Sequence, residues 1–292
     1  MTKVIKYFLA CCLFAGLSVC RPAHDGRPLV AVTIEPQRYF AEQLVDSLFD
    51  IAVMVPAGVS PETYDPSPQQ MAILSRSKAY LSIGPVGFNL LWLDKIRSNN
   101  PQLPVFDNSE NILPLTSGHD PDSAGHATHH HPGGTDPHIW SSPKSARILV
   151  QNMYKAFVAL DAGHKNRYTN NLLRLQAEID RTDSILSQLF AAAETKSFII
   201  YHPALSYLAR DYGLTQYCIE TDGKEPSPAH IRQLIETARR TNIKVIFIQE
   251  EFDGKNAEVI ARETGCRLIV VNPLSYHWSR ELIRIAQAIA HE

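Results

Sequence analysis

The sequence predicts an α/β fold: two parallel-sheet α/β lobes bridged by a long rigid helix. Three observations predict it. Short β-rich apolar runs alternate with helical patterns from residue 28 to residue 106, the mark of a parallel sheet covered by helices. From residue 142 to residue 193 only helical patterns occur. The alternation then resumes and runs to residue 291. With 292 residues and 45% apolar content, the chain has ample material for such cores.

The first twenty residues read as an export signal. Lys3 and Lys6 make a charged start, and Tyr7 to Val19 is an apolar stretch too short for a spanning helix. It closes on Leu17-Ser18-Val19-Cys20, which resembles a lipoprotein-processing site with lipid attachment at Cys20. Val19 departs from the small residue usual there, and an ordinary cleaved signal is the alternative. The expected location is periplasmic or elsewhere in the cell envelope, with a lipid anchor to a membrane. Cys218 and Cys266 remain after cleavage, and export permits them a disulfide, although two buried thiols fit equally.

Residues 27–142 form the expected first lobe. Pro28 to Ile34 reads as a strand, Pro36 to Phe49 as a helix and Ile51 to Val55 as a strand. Ser67 to Ser77 is a helix opened by Ser-Pro, a good cap and first-turn pair. Strand Ala79 to Ile83, helix Gly87 to Ser98 and strand Pro104 to Phe106 follow. Residues 143–194 form a helical segment. Within it, Lys165 to Ala193 carries Leu172, Leu175, Ile179, Leu186 and Leu189 near helical spacing. A helix of that length spans roughly 43 Å, more than one small domain, so it should run along both lobes. Residues 195–292 form the second lobe. Its strands are Ser197 to Tyr201, Gln216 to Ile219, Val245 to Ile248 and Leu268 to Val271. Its helices are Ala204 to Tyr212, Pro228 to Thr241, Gly254 to Thr264 and Arg280 to His291.

The chemistry concentrates before the helical segment. Six of the twelve histidines lie in residues 119–138. His119, His126, His129, His130 and His131 sit in a Gly/Pro/Asp-rich tract, residues 117–134, that builds no strand or stable helix. Such a tract suits loose, auxiliary capture of a borderline-soft cation. It ends in Asp-Pro-His138-Ile-Trp140, where one imidazole stands beside apolar bulk and can hold an ion in fixed geometry. Ligands of open α/β sheets bind beyond the carboxyl ends of strands. Glu62, His138, His202 and Asn272 are the metal-capable or polar residues expected there. Net charge is −2 with no basic stripe, which argues against nucleic acid as a partner.

Four motifs occur in order: Pro56-x-Gly58-x-Ser60-Pro61-x-Thr63-Tyr64-x-Pro66-x-Pro68, Asp136-Pro-His-Ile-Trp140, Tyr201-His-Pro-Ala204 and Glu225-Pro-Ser-Pro228. Together they resemble the solute-binding proteins of zinc and manganese ABC importers, specifically the high-affinity zinc-uptake type. The resemblance implies a metal held between two lobes, delivery to a membrane permease and a monomeric binding protein. It also implies metal ligands at 62, 138, 202 and 272, usually three histidines and a carboxylate. This chain keeps His138 and His202 but has Glu62 and Asn272. Two imidazoles, Glu62 and a neutral Asn272 on a +2 ion leave +1, as the usual set does, so the carboxylate is relocated rather than lost. Glu251, after the third strand of the second lobe, is a further candidate, and water, Asn272 or Glu251 would complete the shell.

Zn2+ is the expected cargo. Mixed N/O ligands also accept Mn2+ and Fe2+, and the His-rich tract together with the Irving–Williams order favours zinc. An exported zinc metallohydrolase is the enzymatic alternative, because two histidines and a glutamate also describe catalytic zinc. No His-Glu-x-x-His helix or obvious general base accompanies them, so a non-enzymatic role is expected. A metal-storage or adhesion lipoprotein is a third reading. Binding should weaken below about pH 6, where imidazoles protonate.

Overall fold

The computed structural model describes residues 26–115, 134–221 and 223–290. The signal segment with Cys20 and the histidines at 119, 126, 129, 130 and 131 lie outside these residues.

The first lobe is a parallel sheet of β1 (Leu29–Val32), β2 (Asp50–Val53), β3 (Ala79–Ser82) and β4 (Val105–Asp107), in the order β2-β1-β3-β4. Helices α1 (Glu35–Val45), α2 (Pro68–Arg76) and α3 (Gly87–Asn99) connect the strands. The second lobe repeats the plan. Strands β5 (Ser197–Ile200), β6 (Thr215–Cys218), β7 (Val245–Gln249) and β8 (Arg267–Val271) run in the order β6-β5-β7-β8. Its helices are α6 (Ser206–Tyr212), α7 (Pro228–Arg240), α8 (Lys255–Thr264) and α9 (Trp278–Ala290). Buried runs such as Val30-Ala-Val and Phe198-Ile-Ile explain why the strands lie in the middle of covered sheets.

Two helices join the lobes: α4 (Pro143–Leu160) and α5 (Lys165–Ala192). The α5 helix has 28 residues and is roughly 42 Å long. It packs against α1, α4 and α9. Its inward stripe is Tyr168, Leu172, Leu175, Ile179, Leu186 and Phe190, which are neighbours at helical spacing. Glu178 fastens both lobes to it, accepting from the Tyr39 hydroxyl at 2.5 Å and the Ser279 hydroxyl at 3.1 Å.

Element ends differ from expectation by a residue or two, except at the end of α1. The helix expected over 36–49 stops at Val45, because Asp46 turns to φ 56° and closes the last turn with its N–H on the Glu42 carbonyl. The helix expected from Ala204 starts at Ser206, since His202 and Pro203 form a turn in which the Ala204 N–H reaches the His202 carbonyl. Cys218 and Cys266 are both buried free thiols, so the disulfide alternative falls. Among the described residues no helix is long and apolar enough to cross a membrane.

In each sheet the strand order reverses between the two central strands, which creates a crevice beyond their carboxyl ends. The first-lobe crevice is filled. The fully buried Gln37 side chain accepts from the Thr33 N–H and donates to the Leu81 carbonyl and to Asn108 Oδ1. The second-lobe crevice holds His202.

Candidate metal centre

His202 follows β5 directly and is fixed on three sides. The Gln249 side chain, at the end of β7, accepts the His202 N–H at 3.3 Å and donates to its carbonyl at 2.7 Å. The imidazole stacks on Phe252, with ring centroids 5.5 Å apart and planes 22° apart. Its Nδ1 lies 2.8 Å from Glu220 Oε1. Strand register explains that contact. Ile200 pairs with Cys218, and two residues further along each strand stand His202 and Glu220. The glutamate is 5% exposed.

His138 is 2% exposed and reaches the same place from the Asp-Pro-His turn before a short 3-10 turn at Ile139–Ser141. Asp136 Oδ1 takes both its backbone N–H, at 2.8 Å, and its Nδ1, at 2.9 Å. The turn is tied to the second lobe. The Tyr207 hydroxyl donates to the Asp136 carbonyl, Trp140 Nε1–H to the Pro273 carbonyl, and Trp278 Nε1–H to the Trp140 carbonyl.

The result is a pair of imidazoles whose Nε2 atoms face each other at 3.1 Å. A carboxylate behind each Nδ1 holds a proton there, so both Nε2 lone pairs point into one gap. Two lone pairs at that range repel unless a positive charge stands between them. The environments divide the roles. Burial lowers the pKa of His138 and outweighs the opposing pull of Asp136. Burial also pulls His202 down, but its Glu220 hydrogen bond and the charges of Glu220, Glu62 and Asp136 together raise it. Of the two imidazoles, His202 therefore holds a proton the more strongly in the metal-free protein. A divalent cation that replaces that proton meets two neutral nitrogen donors.

Glu62 lies on the loop after β2. Its Oε2 accepts the Gly87 N–H at 3.2 Å, while Oε1 is buried with no hydrogen-bond partner among the described residues. Its charge is felt by both imidazoles. Such an orphaned oxygen is costly unless a cation meets it. A cavity of about 10 Å³ opens between the lobes, lined by Ser60, Pro61, His138, Trp140, His202 and Glu251 among others. That is about the room one small ion or water occupies. Glu251 stands on its wall, its carboxyl pKa raised by burial. Asn272 has its side-chain oxygen partly engaged: Oδ1 accepts the Leu274 N–H at 3.0 Å, while its backbone N–H goes to Glu281. Among the described residues no three His, Cys, Asp or Glu side chains are drawn together as a finished cage. What is assembled is an imidazole pair, with the Glu62 carboxylate near enough for its charge to act on both rings and Glu251 on the cavity wall.

Sequence reasoning missed Asp136, Glu220 and Gln249 as supports. Asp136 was signalled by its place two residues before His138. Glu220 could have been found only by aligning the ends of neighbouring parallel strands.

Comparison with known proteins follows the same line. The family described as zinc-uptake complex component A, periplasmic, matches residues 30–281. The high-affinity zinc uptake system protein ZnuA of Bacillus subtilis strain 168 is 30% identical over 252 residues, covering 84% of this chain and 78% of that protein. The zinc-binding lipoprotein AdcA of Streptococcus pneumoniae is 26% identical over 282 residues. That match covers 93% of this chain but 55% of the streptococcal protein, so the chain spans about half its length. A crystal structure of ZnuA superposes with a TM-score of 0.82 at 35% identity, covering 90% of this chain and 98% of that one. A ZnuA deletion mutant with zinc bound superposes equally well.

Proposed function

Because the chain belongs to the family of periplasmic zinc-uptake components, we propose that it is the extracytoplasmic zinc-binding component of an ABC importer. It captures one Zn2+ between its lobes and delivers it to a membrane permease. The observation that carries this reading is the His138–His202 pair, with Nε2 atoms 3.1 Å apart and a carboxylate behind each Nδ1. Glu62 Oε1 is the third donor. Water or Glu251 completes a tetrahedral shell. Asn272 is the weaker fourth candidate, because its oxygen is already engaged.

Local charge favours a divalent ion over a proton. Asp136 and Glu220 stand behind the imidazoles and the charge of Glu62 acts on both, so three carboxylates bear on the gap. This is more negative than the count from direct donors alone. Capture moves the shared proton off His202. Neither imidazole then has a free nitrogen with which to act as a base, and the proposed role is binding rather than catalysis. Lipid attachment at Cys20, weak capture by the histidines at 119–131 and a monomeric state belong to the same proposal, on sequence grounds.

The test is a zinc titration of the metal-free protein beside His202→Ala. One tight equivalent in the native chain, lost in the variant with the fold retained, supports the site. Unchanged tight binding in His202→Ala overturns it.

A further inference from the structure

The loop that carries Glu62 also caps α3, and this ties the geometry of the donor to one glycine. The α3 helix has 13 residues, and its N-cap, Val86, offers no side-chain hydrogen bond. The first N–H groups of any helix need partners from outside. The loop supplies two. The Pro61 carbonyl accepts the Phe88 N–H at 2.7 Å, and Glu62 Oε2 accepts the Gly87 N–H at 3.2 Å. The approach is possible only without a side chain at 87. A Cβ there would lie 2.4 Å from the Glu62 carbonyl oxygen, 2.5 Å from its Cα and 2.7 Å from its carbonyl carbon. All three are backbone atoms, so the whole loop would have to move.

Glu62 thus commits one carboxylate oxygen to the helix, where the dipole favours negative charge, and keeps Oε1 buried and, among the described residues, without a partner. A carboxylate held in this way offers one oxygen, not two. One oxygen and two imidazole nitrogens suit a four-coordinate ion. Manganese takes larger, oxygen-rich octahedral shells, to which a two-oxygen carboxylate contributes well.

We propose that Gly87 is a positioning residue that holds Glu62 as a one-oxygen donor and so biases the centre towards zinc and against manganese. The proposal rests on the reading of Glu62 as a ligand.

The experiment compares Glu62→Ala, Gly87→Ala and the double variant. Zinc and manganese affinities are read by competition with a chromophoric chelator. The visible spectrum of the Co2+ form is read alongside, since four-coordinate cobalt absorbs far more strongly than six-coordinate. Gly87→Ala should weaken zinc binding roughly 10–100-fold, as loss of a support behind a metal ligand does. It should lower the zinc-to-manganese preference and dim the cobalt bands. The double variant should bind zinc no more weakly than Glu62→Ala. If Glu62→Ala weakens zinc binding but Gly87→Ala keeps native affinity, preference and spectrum, the positioning role is overturned while the ligand stands. Equal losses for zinc and manganese overturn the bias. If Glu62→Ala itself leaves zinc affinity unchanged, the ligand reading fails first. Should Gly87→Ala not fold, Glu62→Asp keeps the glycine but is too short to reach both partners. It should lose preference and cobalt intensity, and native values there overturn the proposal.

Discussion

Glu220→Gln separates charge from shape at the centre. Glutamine keeps the size of the side chain and an acceptor oxygen for His202 Nδ1–H, now 2.8 Å away, and removes one negative charge. With zinc about 2 Å beyond Nε2, the carboxylate and the ion stand about 7 Å apart across the ring. At an effective dielectric of about 20, one unit of charge at that range contributes about 2.4 kcal/mol. At pH 6 the metal-free protein already holds one proton on His202, whose pKa lies above its ordinary value through the balance of burial and carboxylates described above. Zinc then adds one further unit of positive charge. The variant should therefore bind zinc roughly 50-fold more weakly at pH 6. The loss should grow as pH rises and the proton no longer occupies the gap. Chelator competition at pH 6 and pH 8, with near-ultraviolet circular dichroism to establish the native fold, makes the measurement. A change under about threefold at both pH values would refute the reasoning, since a buried carboxylate at this distance cannot be silent towards the ion.

The other predictions concern protons, packing and motion. Because His202 is raised above its ordinary value of about 6.5, zinc affinity should begin to fall at a higher pH than the value near 6 expected from free imidazole. Calorimetry in buffers of differing ionisation enthalpy should then find close to one proton released per zinc below the His202 pKa, and no release there would contradict the shared-proton gap. For the metal-free fold the sign is opposite. Stability from His202 protonation is fully present below the unfolded value and is lost as pH rises through the folded one, so urea midpoints should decline across that window. Trp140→Phe removes the donor to the buried Pro273 carbonyl and should cost about 1–3 kcal/mol in urea unfolding; an unchanged midpoint would show that the contact carries no stability. Small-angle scattering with and without zinc should nearly superimpose, because closing the lobes further would require bending α5 and breaking its backbone hydrogen bonds. A large compaction would rule out α5 as a stiff spine.

The order of strands and helices was legible because burial on both faces writes itself into the chain as apolar runs, and one-sided burial as helical spacing. The exception at Val45 is instructive. Leu48 and Phe49 continue the apolar rhythm of α1, but the positive φ of Asp46 redirects the chain, and side-chain periodicity carries no record of backbone dihedrals. His138 and His202 stood out because each is next to proline and near an aromatic residue at the end of a pattern. Glu220 did not, since its partner is set by the pairing of β5 with β6, a relation between segments 18 residues apart in sequence. Asn272 was placed correctly at the end of β8, yet nothing in its neighbourhood announced that Leu274 would occupy its oxygen. Glu62 shows the reverse. Its loop position was legible, and only the three-dimensional approach to Gly87 explains which oxygen is left over.

The hydrogen bonds around the Asp-Pro-His turn decide which donor can leave first when an ion is released. By chain position His138 precedes the helical segment and counts with the first lobe. Yet Tyr207, Pro273 and Trp278 grip its turn from the second. Both nitrogens therefore travel together, on one side of the seam, with Glu220 and Gln249. Glu62 alone stands on the other side, mounted on α3. With α5 holding the lobes in place, withdrawal of the Glu62 loop would, on the proposed ligand set, take away a single oxygen and leave an ion on two imidazoles. On the proposed ligand set the centre is a two-pronged socket with a one-atom shutter, and a receiving site would need only to supply the ligand the shutter withdrew.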